Sequence, residues 1–214
     1  MHSEVLTARS LFFRKALSGG TFTMHSEVLT ARSLFFRNGG FKEAEERVVE
    51  LPEDDPEIFG MYLHYVQTNE LSIVPEPLPE QYKGMEERGT LARLYVLAEK
   101  LQDVKSKNAI VKGMIASCYQ KRFDNTCYFF GPKSMTLLYQ GTMPGSKARK
   151  LVVEMRAYDY TNTESLSQEG WPYEFLTELA CEFIKYRDTH HDKKKKFWRR
   201  DHPEDYMEEE ETGG

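Results

Sequence analysis

The stretch from Phe22 to Leu71 constrains the fold most, because three structural elements follow one another closely within it. A short β-prone segment, Thr21–Met24, leads into an apolar run with helical spacing, and two valines favour a second strand at Arg47–Leu51. A helix is then predicted from Pro56 to about Thr68. None of these elements presents a reaction centre, so the sequence predicts a chain built to pack and to offer surface.

The predicted helix Pro56–Thr68 has the clearest start signal in the chain, the sequence Asp54–Asp55–Pro56–Glu57. An Asp at the N-cap accepts backbone N–H groups, a Pro at the first helical position loses no hydrogen bond, and a Glu in the first turn suits the helix dipole. Asn69 suits the C-terminal turn. The apolar residues share one broad side, as in a helix that packs on a core: Ile58, Phe59, Tyr62, Leu63, Tyr65 and Val66.

The composition fits a soluble globular protein, because 40% of the 214 residues are hydrophobic and 29% are charged. The net charge of −5 argues against direct nucleic-acid binding, which needs a basic face. We expect no membrane partner, because no apolar run approaches the roughly 20 residues that cross a bilayer. The N-terminus lacks a signal-peptide pattern and the cysteines are few and scattered, so we expect an intracellular protein, cytoplasmic or nuclear.

A block of 14 residues occurs twice without change, at 1–14 and again at 24–37. Two copies are too few for a solenoid, which needs roughly three or more units, so the repeat indicates a duplication or a faulty join in the gene. A single core offers one slot to such a helix. The second copy follows the β-prone Thr21–Phe22–Thr23 and precedes the helix stop Gly39–Gly40. We therefore predict that the second copy fills the slot and that residues 1–20 add a loosely docked helix.

Downstream of Leu71 a loop is followed by further helices. Residues 72–90 hold three prolines and many charges and predict a loop, with one short strand at Leu71–Val74. Helices are predicted from Leu91 to Leu101 and from Val104 to Gln120. Asp103 recaps the chain between them, so the two helices form a tight hairpin.

Residues 121–188 predict a helical extension, with helices around Ser134–Gln140, from Lys147 to about Tyr158, and after Pro172. The last of these has a clear amphipathic side: Phe175, Leu176, Leu179, Ala180, Phe183 and Ile184. Residues 189–214 divide into a basic cluster and an acidic run, which predicts a charged, disordered tail.

Candidate catalytic and metal-binding residues are few, and each also has a structural interpretation. His25 fits a metal ligand or a histidine that fixes a strand-to-helix turn, and we favour the turn. Cys118 and Cys127 have no nearby His, so structural cysteines are favoured over zinc ligands. The sequence contains no glycine-rich phosphate loop, nucleophile elbow or paired-carboxylate site. We therefore predict a protein that is not an enzyme, with no catalytic, cofactor-binding or metal-binding residues.

The spacing of five residues resembles the opening of a BTB/POZ domain: Phe22, His25, Leu29, Ser33 and Phe36. Two further blocks, VVELPEDDPEIFGMYLHYVQTNEL and LARLYVLAEKLQDVKSKNAIV, are similar to that family's third strand and helix and to its fourth and fifth helices. The resemblance covers residues 21–120. The stretch GGFKEAEERVVELPEDDPEIF is most similar to fungal BTB proteins that carry no second recognised domain.

This resemblance implies a mainly helical α+β fold, with short strands flanking a helical cluster, and a role in binding proteins. Some BTB proteins bridge a substrate to a cullin-RING ubiquitin ligase and carry a hydrophobic–any–Glu pattern, where this chain has Phe41–Lys42–Glu43. An apolar anchor beside a carboxylate can enter a partner's pocket and fix its register. The predicted partner is a protein such as a cullin, and the predicted protein-binding residues are Phe41, Glu43, Tyr62 and Gln67.

Two positions depart from the family pattern. The duplicated helix of residues 1–20 stands where the first BTB strand belongs, and that strand often exchanges across a dimer, so the expectation of a homodimer is weakened. The helix end reads Gln67–Thr68 instead of Tyr-Thr, which removes an aromatic contact of some cullin-binding relatives. The alternative function is a nuclear regulatory protein that self-associates through the BTB domain and uses Lys193–Arg200 for import.

Overall fold

The computed structural model describes residues 32–33, 55–74, 79–158, 166, 169–189 and 202–210. Six α-helices and one 3₁₀ helix have both ends within these residues. The helices, in chain order, are α1 Pro56–Thr68, α2 Met85–Lys100, α3 Val104–Tyr119, α4 Pro132–Gly141, α5 Lys147–Tyr158 and α6 Tyr173–Thr189, followed by the 3₁₀ helix Pro203–Tyr206. One hydrophobic core joins residues from all of them. The helices of the predicted extension, residues 121–188, therefore share a core with α1, α2 and α3.

The predicted α+β fold class is wrong, because the described residues form helices and no strand. The stretch predicted as a short strand, Leu71–Val74, continues α1 as irregular chain. Leu71 and Ile73 pack on the helical core. Apolar side chains at alternate positions can therefore be covered by helices, without a strand partner. The other two predicted strands, Thr21–Met24 and Arg47–Leu51, lie outside the described residues.

The start and end of α1 are as predicted. Asp55 is the N-cap, and its side chain accepts a hydrogen bond from the backbone N–H of Glu57 at 2.9 Å. Asn69 closes the helix in the left-handed conformation, with φ of 57°, and its N–H donates to the carbonyl of Tyr65 at 2.8 Å. α1 packs on α2 and also contacts α3.

α2 begins at Met85, ahead of the start predicted at Leu91. Its first turns bury charged residues, Glu87 and Arg88, instead of apolar ones. Glu87 forms an ion pair with Arg122, with 3.0 Å between nitrogen and oxygen. Apolar periodicity missed these turns because buried ion pairs leave no hydrophobic pattern in the sequence.

The α2–α3 hairpin and the helices after it agree with the prediction. Asp103 caps α3, accepting a hydrogen bond from the backbone N–H of Ser106 at 2.9 Å. The predicted helices around Ser134–Gln140 and at Lys147–Tyr158 correspond to α4 and α5. α4 packs closely on α2, where Gly141 leaves room for the side chain of Val96.

Residues 202–210 lie against α3 and α5 and bury the ring of Tyr206. This differs from the predicted disorder of the tail over 189–214. An acidic run predicts disorder when it has no apolar anchor, and here one tyrosine provides the anchor. Residues 190–201 and 211–214 lie outside the described residues.

Candidate protein-docking surface

The outer side of α6 exposes four large apolar side chains along one line. Tyr173 is 79% exposed, Leu176 40%, Phe183 42% and Ile184 51%. Their spacing along the helix places them on one side, together with the exposed Ala180. We call these five residues the α6 stripe. Its apolar side chains are adjacent, unlike single exposed hydrophobic residues, which are common on protein surfaces.

The inner side of α6 is held firmly in the core. Phe175 and Leu179 are buried, and the ring of Phe175 stacks on Trp171 with 5.1 Å between centroids. Tyr139 of α4 packs edge-on against Phe175 and donates a hydrogen bond from its hydroxyl to Glu178 at 2.5 Å. The α6 stripe therefore belongs to a fixed helix and needs little ordering on binding.

The predicted amphipathic side of α6 is divided by the structure. The sequence grouped six apolar residues on one side, but Phe175 and Leu179 face the core while Leu176, Phe183 and Ile184 face solvent. Together these residues span more of the helix surface than one contact with the core can cover. The α6 stripe was therefore not predicted from the sequence, although the unusual width of the apolar side was its signal.

The structure describes two of the four residues predicted to bind a protein, Tyr62 and Gln67. Tyr62 is only 1% exposed and lies in the core, so it is not part of a partner surface. Burial raises the pKa of Tyr62 above its ordinary value, and the nearby Asp103 carboxylate adds to the shift. Gln67 is exposed on α1, and Phe41 and Glu43 lie outside the described residues.

Asp103 is the centre of a buried polar cluster that joins α1 to α3. Its carboxylate accepts hydrogen bonds from the Tyr62 hydroxyl at 3.1 Å and the Ser106 hydroxyl at 2.7 Å, and it pairs with Arg32 at 3.6 Å. Ser33 donates to the carbonyl of Leu101 at 2.5 Å. Arg32 and Ser33 belong to the second copy of the repeated block, and these contacts set them against the core. The first copy lies outside the described residues.

A second buried cluster surrounds Arg122, which follows α3. Its guanidinium donates to Glu87 and to the carbonyl of Ser117, each at 3.0 Å. A Cβ on Gly84, whose φ is 67°, would come within 2.6 Å of that guanidinium. Burial lowers the pKa of the neighbouring Arg88. These side chains are packed inside the protein, and we assign them a structural role in holding α2 against α3.

The cysteines and histidines of the described chain form no metal-binding group. Among the described residues, no three His, Cys, Asp or Glu side chains come together in a way that could hold a metal ion. Cys118 is buried, and the thiol of Cys127 donates to the carbonyl of Tyr119 at 3.4 Å. His25 lies outside the described residues. No described helix is both long enough and apolar enough to cross a membrane.

Comparisons with known proteins found no match for this chain. No family model, no curated protein and no solved structure matches the chain. The resemblance to BTB/POZ domains therefore rests on the sequence blocks given above.

Proposed function

We propose that this chain is a protein–protein interaction module and that the α6 stripe is its docking surface. The supporting observation is a row of large apolar side chains, 40–79% exposed, on a helix whose opposite side is fixed in the core. Adjacent exposed apolar residues mark sites where a partner covers them. Aromatic side chains such as Tyr173 and Phe183 are also favoured as binding anchors.

The specific form of the proposal is an adaptor for a cullin-RING ubiquitin ligase that works in the cytoplasm or the nucleus. Its support is the sequence resemblance, with Phe41 and Glu43 as the expected cullin contact and exposed Gln67 as a neighbouring polar residue. The role is binding without turnover. In this form the α6 stripe is free to hold the protein delivered to the ligase.

The alternative is a nuclear regulatory protein that self-associates. The α6 stripe favours this alternative in one respect, because four of its five residues recur at alternating steps of three and four, as in the seam of a helix pair: Tyr173, Leu176, Ala180 and Phe183. A second copy of α6 could therefore cover the stripe. The basic cluster Lys193–Arg200 would then serve nuclear import.

Two binding assays on the full chain test the proposal. Sedimentation velocity measures self-association, and biolayer interferometry measures binding to a purified cullin amino-terminal domain. The variants are Phe183→Glu for the α6 stripe and Glu43→Arg for the expected cullin contact. Lys185→Gln is the matched control, because it shifts the net charge by the same unit on the flank of α6.

We expect Phe183→Glu to weaken self-association, or Glu43→Arg to weaken cullin binding, by roughly 30-fold, the effect of losing a binding hot spot of about 2 kcal/mol. Lys185→Gln should change neither, since exposed ion pairs contribute little. A wild-type chain that stays monomeric and binds no cullin would contradict both forms of the proposal. If Phe183→Glu binds as tightly as wild type in every assay that detects binding, the α6 stripe is not the docking surface.

A further inference from the structure

The segment of residues 202–210 is held in a groove between α3 and α5 by contacts that resemble peptide recognition. It has only a single 3₁₀ turn, Pro203–Tyr206, so its position depends on the groove. The groove provides three kinds of contact: an amide that binds main chain, a cation that binds a carboxylate, and a pocket that binds a tyrosine. The first two come from adjacent residues of α3, and the third comes from α5.

Asn108 of α3 binds the main chain of the segment at two points. Its Nδ2 donates to the carbonyl of Glu208 at 3.0 Å, and its Oδ1 accepts the N–H of the same residue at 2.8 Å. Nδ2 also lies 3.2 Å from Oε1 of Glu210. This pairing satisfies both main-chain groups of one residue, as an added strand would in β-augmentation. Such contacts bind an extended peptide whatever its side chains are.

Lys107 of α3 selects for an acidic side chain. Its ammonium lies 2.7 Å from a carboxylate oxygen of Glu208 and 3.0 Å from one of Glu99 on α2. Burial alone would lower the pKa of Lys107, but the hydrogen bonds with Glu208 and Glu99 hold it above its ordinary value. Without the segment, this largely buried cation would keep only one of its two carboxylates.

Tyr206 fills a pocket on α5. The ring is buried, the hydroxyl donates to Glu154 at 2.5 Å, and the ammonium of Lys150 lies 5.1 Å from the ring centroid. A phenol that reaches a carboxylate and lies beside a cation is matched better than a phenylalanine would be. The pocket therefore specifies tyrosine at this position.

We propose that the groove between α3 and α5 is a binding site for acidic peptides with a tyrosine anchor, and that residues 202–210 are its built-in ligand. An acidic peptide from a partner reaches the groove only by displacing this segment. The segment is part of the same chain and competes at an effective concentration of roughly millimolar. The site is separate from the α6 stripe, and the proposal does not rest on the function given above.

The experiment uses the full-length chain and a fluorescein-labelled peptide of residues 202–210, HPEDYMEEE, followed by fluorescence anisotropy. Tyr206→Ala and Glu208→Lys each release the segment from its own groove, the first by removing the anchor and the second by opposing Lys107. Glu209→Ala is the matched control, because Glu209 is exposed within the same segment. Both releasing changes lie within the segment and alter no residue of α3 or α5.

We expect the Tyr206→Ala and Glu208→Lys chains to bind the peptide at least about 30-fold more tightly than wild type, since they lack the tethered competitor. The Glu209→Ala chain should behave like wild type. Adding Asn108→Ala to either releasing variant should weaken peptide binding by about tenfold, and a peptide carrying Tyr206→Ala should not bind. Asn108→Ala should leave association through the α6 stripe unchanged, which separates this proposal from the previous one.

Amide hydrogen exchange at Glu208 gives an independent readout of the segment. Its N–H is protected by Asn108 in the wild-type chain, and we expect fast exchange in both releasing variants. Failure of both released chains to bind the peptide would overturn the proposal. Continued protection of this amide in both releasing variants would overturn it as well, because the segment would then be a fixed part of the core.

Discussion

The helices α1 and α6 both carry a broad apolar side. Almost all of this side is buried in α1, whereas about half of it is exposed in α6. α1 packs on α2 and contacts α3, and its residues Ile58, Leu63 and Val66 are buried. Among the described helices, α5 and α4 pack on α6, on its inner side. Each helix contacts two others of the described set, so the comparison shows that the placement of the neighbouring elements decides how much of an amphipathic helix becomes core.

The polar contacts of the two regions differ in the same way. Around α1, Asp103 is fully buried and its carboxylate binds Tyr62 and Ser106. On α6, the ion pair between Lys185 and Glu182, at 2.9 Å, lies at the surface. The α1 region is therefore a closed structural unit, whereas the outer side of α6 is a surface that a partner can cover.

Asp103→Ala gives the largest expected effect and tests the closed unit. Removing this carboxylate leaves Arg32 and the Tyr62 hydroxyl without their buried partner, so we expect a loss of about 4 kcal/mol in the free energy of unfolding. Asp55→Ala is the matched control, because Asp55 is also an N-cap but is exposed. We expect about 1 kcal/mol for the control. Urea unfolding measures both, and equal losses would show that the cluster around Asp103 adds nothing beyond capping.

Phe175→Ala tests the inner side of α6. The side chain is completely buried against Trp171 and Tyr139, so we expect a loss of about 3 to 4 kcal/mol in the free energy of unfolding. Leu176→Ala, one position along and 40% exposed, should cost less than about 1 kcal/mol. Thermal and urea unfolding of the two variants provide the measurement. A Leu176→Ala loss as large as that of Phe175→Ala would remove the distinction between the two sides.

Gly141→Ala tests how tightly α4 is packed on α2. A Cβ at Gly141 would clash with the side chain of Val96, and we expect a loss of about 2 kcal/mol in the free energy of unfolding. Gly89→Ala is the control, because nothing lies within 4 Å of a Cβ at Gly89 inside α2. Its higher helix propensity should stabilise the protein by about 0.5–1 kcal/mol. In chemical denaturation we expect Gly141→Ala to lower the free energy of unfolding and Gly89→Ala to raise it. A change of the same sign in both variants would contradict the close packing of α4 on α2.

Titration of the buried Cys118 thiol has the smallest expected effect on stability. Cys118 and Cys181 should nevertheless differ clearly in reactivity. Burial raises the pKa of the Cys118 thiol to about 12, so the thiol stays protonated at pH 8, whereas Cys181 is exposed. We expect iodoacetamide to label Cys181 at pH 8 and to spare Cys118 until the chain is unfolded. Because the unfolded thiol loses its proton at lower pH than the folded one, the contribution of Cys118 to stability is present below its ordinary pKa and falls as pH rises above it. Rapid labelling of Cys118 in the native chain, detected by mass spectrometry, would contradict its burial.

The sequence predicted helices best where capping residues mark a start. Asp55 and Asp103 identified the starts of α1 and α3, because the capping interaction is local and visible in a few residues. The start of α2 was missed because its first turns are held by the ion pair between Glu87 and Arg122, which are far apart in the chain. Leu71–Val74 was wrongly predicted as a strand, since alternation cannot distinguish a sheet from a helical surface.

The candidate surface was harder to predict than the helices. Tyr62 was assigned to a partner surface, but a tyrosine on an amphipathic helix can reach a buried carboxylate, and here that carboxylate comes from Asp103 on another element. The α6 stripe and the site of Tyr206 depend on which helices are neighbours. That information is absent from local spacing. Phe41 and Glu43 remain predictions from the sequence resemblance.

The free energy of unfolding of the Phe183→Glu chain is the most direct test of the division between the two sides of α6. If the α6 stripe is reserved for a partner, a charge at this position should change the stability of the chain by no more than about 0.5 kcal/mol. A loss of about 2 kcal/mol or more, measured at a concentration at which the chain is monomeric, would mean that the chain itself covers Phe183. That result would contradict the account of α6 as a docking surface.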